Sequence, residues 1–236
     1  RRPESGRFLL TGSANLLLMK SVAESLAGRA GYIALPPLSL AERVRRRGGA
    51  LLRALLDAAD TACALTLQGS FPAMTELPAT QAIFDGGYPE VVRLPDDESR
   101  DLWREGYVMT YLERDLRTLA QIGDLPDFLR LLRLSALRTG QVLNVDGLAR
   151  DAGLASSTAR RYLNLLEVSW QVVTVPAYSA SRTKRLIKAP KLFFTDSGLA
   201  CHLSGIGGAA GLAASQQFGA LLETHVLQNL MAFAHL

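Results

Sequence analysis

The stretch NVDGLARDAGLASSTARRYLNLLEVS (Asn144–Ser169) decides the fold of the chain around it. Asn144 is a typical N-cap at the start of a short helix. A longer helix follows, for which Ser156 and Ser157 are candidate caps. The inward-facing side of that longer helix is predicted from its large apolar residues: Tyr162, Leu163, Leu166 and Val168. The stretch therefore predicts two helices in close succession, joined by a short turn.

The segments on either side complete a recognisable order of elements. LPDFLRLLRLSALRTG (125–140) predicts a helix that begins near Pro126 and ends at Gly140. Downstream, WQVVTVPAY (170–178) and KLFFTD (191–196) are strand-like and are joined by SASRTKRLIKAP. Three helices followed by a β-hairpin are typical of the winged helix-turn-helix.

Basic residues in this region favour contact with nucleic acid. Residues 125–200 contain 11 Lys and Arg against 5 Asp and Glu, although the whole chain carries a net charge of only +4. The third helix of such a motif can enter the major groove of DNA, and a basic hairpin can bind phosphates. The candidate nucleic-acid-binding residues are Ser157, Arg160, Arg161, Arg182, Lys184, Arg185 and Lys188. Winged helices also dock on proteins or act as spacers, so a protein-docking role remains the alternative.

The sequence of the N-terminal region predicts the last part of an α/β sheet. FLLTGSANLLLMKSVAESLAGR (Phe8–Arg29) predicts a strand, a turn with Thr11 and Ser13, and a helix; a second strand is predicted at Tyr32–Leu35. Open α/β sheets present such turns to phosphates. In the simpler interpretation, the two hydroxyls cap the helix and Arg29 stabilises its C-terminal end. No lysine follows a glycine, so the chain has no phosphate-binding loop of the Gly-Lys-Ser/Thr type.

The middle of the chain predicts helices with one interruption. LSLAERVRRRGGALLRALLDAA (38–59) predicts a helix pair broken at Gly48-Gly49. Its basic cluster, Arg43 and Arg45–Arg47, is interpreted as a solvated helix face. IFDGGYPEVVRLPDD (83–97) predicts a loop region, and Glu98–Ile122 predicts one long helix.

The C-terminal region predicts a linker and one helix. GIGGAAGLAA (205–214) is interpreted as a flexible linker, because its GxGxxA spacing does not directly follow a predicted strand. FGALLETHVLQNL (218–230) predicts the last helix.

Several classes of protein are disfavoured. The two cysteines, Cys63 and Cys201, offer neither a zinc spacing nor a disulfide framework, so no metal site is expected and the reducing cytoplasm is the simplest compartment. No uninterrupted apolar run reaches the ~18–20 residues of a membrane span, so no membrane partner is expected. The chain begins without Met and stops within an apolar, helix-like stretch. We therefore expect a fragment of a longer protein.

Seven stretches, in order along nearly the whole chain, resemble the prokaryotic AAA-type ATPases that carry a C-terminal domain of unknown function. The stretches are FLLTGSANLLL, SLAGRAGYIALPPLSLAE, GGYPEVVRL, YVMTYLERDLRTLAQIGD, TGQVLNVDGLARDAGLASSTARRYLNLLE, RLIKAPKLFFTDSGLACHL and GALLETHVLQNL. The resemblance implies that Thr11 and Ser13 lie on a sensor strand beside the ATP γ-phosphate and that Arg29 is a candidate arginine finger or sensor. It implies ATP and Mg²⁺ as cofactors of the full-length protein.

The Walker A and Walker B motifs of that family would precede Arg1, so this chain alone is not expected to bind or hydrolyse ATP well. The last helix resembles the first helix of a restriction-nuclease-like domain, with Glu223 at its acidic position, but the Asp…Glu-x-Lys core would come later.

The resulting fold class is mixed, mainly α. We expect the end of an AAA-type α/β core (1–42), a helical lid or connector (43–123), a winged helix (124–200), and a linker with the first helix of a truncated third domain (201–236). The expected function is a nucleotide-driven switch coupled to the winged helix. The alternatives are a regulator-like DNA-binding module and a non-catalytic adaptor that binds another protein or a second copy of the chain.

Overall fold

The computed structural model describes residues 29, 31, 33–46, 48–67, 76–110, 124–181, 183 and 187–234. Within these residues the fold is mainly helical and contains a three-stranded antiparallel sheet, which confirms the mixed, mainly α class. None of the helices in this part of the chain is long and apolar enough to cross a membrane.

The elements follow one another in a simple order. The helices of the connector region are α1 (Leu40–Arg43), α2 (Ala50–Asp57), α3 (Thr61–Thr66), α4 (Ala79–Asp85), α5 (Pro89–Arg93) and α6 (Asp97–Tyr107). The central elements are α7 (Leu125–Leu137), β1 (Gln141–Val142), α8 (Val145–Ala152), α9 (Ser156–Val168), β2 (Val172–Val175) and β3 (Lys191–Phe194). The chain continues through α10 (Ser197–Leu203), α11 (Gly208–Ala214) and α12 (Phe218–Ala234).

The sheet and the three central helices share one core. The strand order is β1-β3-β2, and β3 pairs antiparallel with both neighbours. Val172 lies opposite Phe194, and Gln141 lies opposite Leu192. Fully buried side chains from all three helices and from β3 fill the core: Phe128, Leu131, Leu132, Leu148, Leu166 and Phe194. β3 therefore lies at the centre of this region.

Local sequence explains the central helices. Asn144 caps α8, as predicted, because its side chain accepts a hydrogen bond from the Gly147 amide. The two serine caps predicted for α9 are wrong: Ala155 is the N-cap residue and makes no side-chain bond. The inward-facing stripe of α9 is confirmed, since Tyr162, Leu163 and Leu166 are buried.

The connector region corrects two predictions. The helix pair broken at Gly48-Gly49 is present as α1 and α2. Residues 33–35 do not form the predicted strand, and a strand requires a hydrogen-bonded neighbour; the proposed partner at residues 7–10 lies outside the described part. The predicted loop at 83–97 contains the end of α4 and all of α5, because Phe84 is buried and Pro89 suits the first position of a helix.

In the C-terminal region the predicted flexible linker at 205–214 is wrong. The predicted linker contains helix α11, whose Leu212 is fully buried. Its alanines favour the helix and allow close packing against α4.

Of the predicted helix at 98–122, α6 covers the start; residues 111–123 lie outside the described part.

Candidate functional site

One side of α9 presents polar side chains to solvent. Ser157, Arg160, Arg161 and Asn164 are exposed, and their spacing places them on one face of the helix. Buried apolar residues occupy the opposite side, so the rotation of α9 about its axis is fixed by the core. The structure thus brings three of the predicted nucleic-acid-binding residues together on one exposed face, which we call the α9 face (Ser157, Arg160, Arg161, Asn164).

The arginines of the α9 face keep their charges accessible. Nη2 of Arg160 lies 3.7 Å from Oδ1 of Asp146, and the two side chains are 64% and 65% exposed. Exposed pairs of this kind contribute little free energy, so Arg160 can exchange this partner for another anion at small cost. The guanidinium of Arg161 lies 5.2 Å from the centre of the Tyr162 ring.

The connection between β2 and β3 carries the remaining predicted basic residues. Lys188 is exposed, whereas Arg182, Lys184 and Arg185 lie outside the described residues. Lys191, at the start of β3, donates to Glu223 of α12 at 2.5 Å. Glu223 is thus part of an ion pair across the domain.

The structure describes one of the three predicted nucleotide-related residues. Arg29 is exposed, and Thr11 and Ser13 lie outside the described residues. Among the residues that the structure describes, no cluster of His, Cys, Asp and Glu could hold a metal ion.

A second cluster, which the sequence patterns do not predict, is buried where α1, α4, α6, α10 and α12 meet. We call it the buried junction: Arg43, Asp85, Arg104, Asp196 and Ser197. The guanidinium of Arg43 donates to the Asp85 carboxylate at 2.6 Å and to the carbonyls of Ala82 and Gly86 at 3.0 Å each. The side chains of Arg43 and Asp85 are both only 6% exposed. This pair ties α1 to the C-terminal end of α4.

Arg104, which lies on α6, stabilises the same C-terminal end of α4. Its side chain is fully buried and lies 4.7 Å from the centre of the Phe84 ring. Nη2 donates to the carbonyl of Phe84 at 2.5 Å and to that of Asp85 at 3.2 Å. The last carbonyls of a helix have no partner within the helix, and positive charge is favourable there. Arg104 therefore supplies the hydrogen bonds that α4 lacks.

Asp196 and Ser197 connect α4 to the end of the sheet. The Asp196 carboxylate accepts from the amides of Gly87 (2.6 Å) and Leu199 (2.7 Å). Burial raises the pKa of Asp196 above its ordinary value, and the two amides partly offset this effect. Ser197 Oγ donates to the Ile83 carbonyl at 2.8 Å and lies 3.0 Å from His225 Nδ1. Because Ser197 is fully buried, this Ser–His pair has no access for a substrate and is structural.

Sequence patterns give no direct sign of the junction. Arg43 stands beside Arg45 and Arg46, which are exposed as predicted, so composition alone does not distinguish it. The available signal is glycine: a Cβ on Gly198 would lie 2.8 Å from the carbonyl oxygens of Phe84 and Asp85. Such a close approach predicts that Gly198 is required where two segments meet.

We expect His225 to make stability depend on pH. Burial lowers the pKa of His225 to about 4, against 6.5 for an ordinary histidine. The unfolded chain therefore binds a proton more readily than the folded chain, and the free energy of unfolding should fall as pH drops from about 6.5 towards 4. The loss is at most about 3 kcal/mol. Urea unfolding across this range should show a smaller loss for His225→Gln.

Asp196 acts with the opposite sign, since a raised pKa adds stability as pH falls through it, but it is present in both chains and cancels in their difference. Equal pH dependence of the two chains would contradict the buried, neutral His225.

Two family models match parts of the chain. Residues 1–44 match an AAA domain, and residues 77–210 match a domain of unknown function, DUF8612. Two uncharacterized proteins, from Mycobacterium bovis and Mycobacterium tuberculosis, are each 32% identical over 226 residues, which is 96% of this chain and 44% of theirs. The chain thus spans less than half the length of these curated relatives. No solved structure matches it. Because the match to residues 77–210 covers more than half of the chain, the protein belongs to the DUF8612 family.

Proposed function

We propose that residues 124–200 form a winged-helix domain that binds duplex DNA through the α9 face. The order α7, β1, α8, α9, β2, β3 is the order of elements in that motif. In this arrangement α9 is the helix that enters the major groove, and the β2–β3 connection is the wing. The basic excess of residues 125–200 supports the proposal.

The α9 face is the observation that carries the proposal. Arginine can donate two hydrogen bonds to guanine, and asparagine can pair with adenine through its amide. Arg160 and Asn164 are one helical turn apart, on the exposed side of a helix whose other side is fixed in the core. The face therefore offers both charge for phosphates and donors for base edges, and the Asp146 pair that Arg160 would give up is weak and exposed.

A matched pair of double variants tests DNA binding. Fluorescence anisotropy with a labelled duplex should show at least tenfold weaker binding for Arg160→Ala/Arg161→Ala. The loss is expected because two cationic contacts are removed from the reading helix. The control, Arg46→Ala/Arg53→Ala, removes the same charge from exposed positions outside the domain and should bind within about twofold of the parent chain.

Equal weakening of both variants would show that the loss of binding comes from the lower net charge of the chain and not from the α9 face. Absence of binding by the parent chain would favour the protein-docking alternative, and the search would turn to protein partners.

A second proposal concerns the longer protein. We propose that the longer protein uses ATP and Mg²⁺, with Arg29 as arginine finger or sensor and with Thr11 and Ser13 on a sensor strand. The observation behind this proposal is the match of residues 1–44 to an AAA domain. In a longer chain that contains the upstream phosphate-binding loop, Arg29→Ala should lower ATP hydrolysis by about 1000-fold or more if Arg29 acts as an arginine finger. Full activity of that variant would make Arg29 structural.

A further inference from the structure

The last residues of the AAA-matching segment pack against the segment that matches DUF8612 and against α12, which follows that segment. Residues 38–43, which we call the arm, lie within the 1–44 match. The Leu38 amide donates to the Gly87 carbonyl at 2.8 Å, and the Leu38 carbonyl accepts from Gln228 Nε2 at 3.1 Å. The Leu40 amide donates to Asn229 Oδ1 at 2.7 Å. The arm is thus held on one side by the α4–α5 turn and on the other by α12.

The arm is stabilised by a capping box of its own residues and by an ion pair at its C-terminal end. Ser39 and Glu42 form a reciprocal capping box that begins α1, and Ser39 is fully buried. Arg43 then enters the buried junction and pairs with Asp85. Since removing one partner of a buried ion pair leaves an uncompensated charge, movement of the arm away from the body is strongly opposed.

The same contacts continue to the end of the central strand. Gly87, whose carbonyl accepts from the Leu38 amide, donates its own amide to the Asp196 carboxylate. Gln228, which donates to the Leu38 carbonyl, accepts from the Ser197 amide at 3.0 Å. Asp196 comes two residues after the end of β3. The other end of β3 follows the basic β2–β3 connection, and the four-residue strand is about 13 Å long. One short, fully paired strand therefore separates the arm's contacts from the proposed wing.

We propose that the groove between the α4–α5 turn and α12 is the interface through which the AAA part acts on the DNA-binding surface, with the arm as its occupant. The inference rests on the proposed DNA binding. Because coupling between two sites is reciprocal, DNA on the α9 face must also change the stability of the arm in its groove.

Amide hydrogen exchange of the whole chain, with and without a saturating duplex, tests this reciprocity. DNA should slow exchange of the α9 amides by direct contact and should also slow exchange of the amides of residues 38–46 by at least threefold. Protection of α9 with unchanged exchange at 38–46 would overturn the coupling and leave DNA binding intact. If neither region is protected, DNA binding fails and the coupling fails with it.

Variants give an independent reading. Arg43→Ala should weaken DNA binding at least fivefold, although it lies outside the winged-helix segment, whereas the neighbouring exposed Arg46→Ala should bind within twofold of the parent chain. Where Arg43→Ala does not fold, Asn229→Ala takes its place. It removes the bond to the Leu40 amide together with one bond inside α12, from the Asn229 side-chain amide to the His225 carbonyl, and at least a threefold loss is expected. Binding within twofold of the parent by a folded Arg43→Ala, or by Asn229→Ala in its place, would overturn the proposal.

Discussion

Replacement of Arg104 by alanine should lower the free energy of unfolding by about 3–5 kcal/mol, the range for losing one partner of a buried, charged network. The change removes the donor to the carbonyls of Phe84 and Asp85 and the cation above the Phe84 ring. It also leaves a cavity where the largest fully buried side chain had been. Urea unfolding followed by far-UV circular dichroism measures the loss.

Two companion variants separate charge from volume. Arg104→Met fills most of the cavity without donating a hydrogen bond, so it should recover only part of the loss. Arg93→Ala removes an arginine that is 76% exposed and should change the free energy of unfolding by less than about 0.5 kcal/mol. A loss for Arg104→Ala no larger than that for Arg93→Ala would contradict its burial in the junction.

Replacement of Gly86 by alanine should be equally damaging, for a different reason. Gly86 has φ of 70° and ψ of −149°, a conformation that is open essentially to glycine alone. An added Cβ would collide with the Asp196 carboxylate and would lie 2.8 Å from the Gly198 amide nitrogen. We expect a loss of about 3 kcal/mol or more from backbone strain and overpacking together.

Gly211→Ala is the matched control. Gly211 lies inside α11, is exposed, and its nearest neighbour is a methyl group of Ile206, 3.9 Å from an added Cβ. There alanine should raise stability by about 0.5–1 kcal/mol through helix propensity. Opposite signs for the two glycine variants in thermal unfolding are the expected pattern; a neutral Gly86→Ala would contradict the tight contact with Asp196.

The sequence predicts what short-range patterns determine. The Asn144 cap, the buried stripe of α9 and the two strands are readable because each depends on neighbours a few residues away. The α9 face follows directly, since fixing the buried stripe also fixes which residues point outward.

The buried junction is beyond such patterns because it joins residues far apart in the chain. Arg43 meets Asp85 and Gly87 meets Asp196, at sequence separations of 42 and 109 residues. Nothing in the sequence of the basic cluster separates the buried Arg43 from the exposed Arg45 and Arg46. Glycine content misleads in the same way at 205–214, where burial of Leu212 decides in favour of a helix.

The salt dependence of duplex binding tests DNA recognition by the α9 face most directly. The logarithm of the association constant should fall linearly with the logarithm of salt concentration, with a slope of about −4 if four to five phosphates are neutralised. Arg160→Ala/Arg161→Ala should make that slope shallower by about 2, because two of those contacts are lost. No binding by the parent chain, or an unchanged slope in the variant, would contradict DNA recognition by the α9 face.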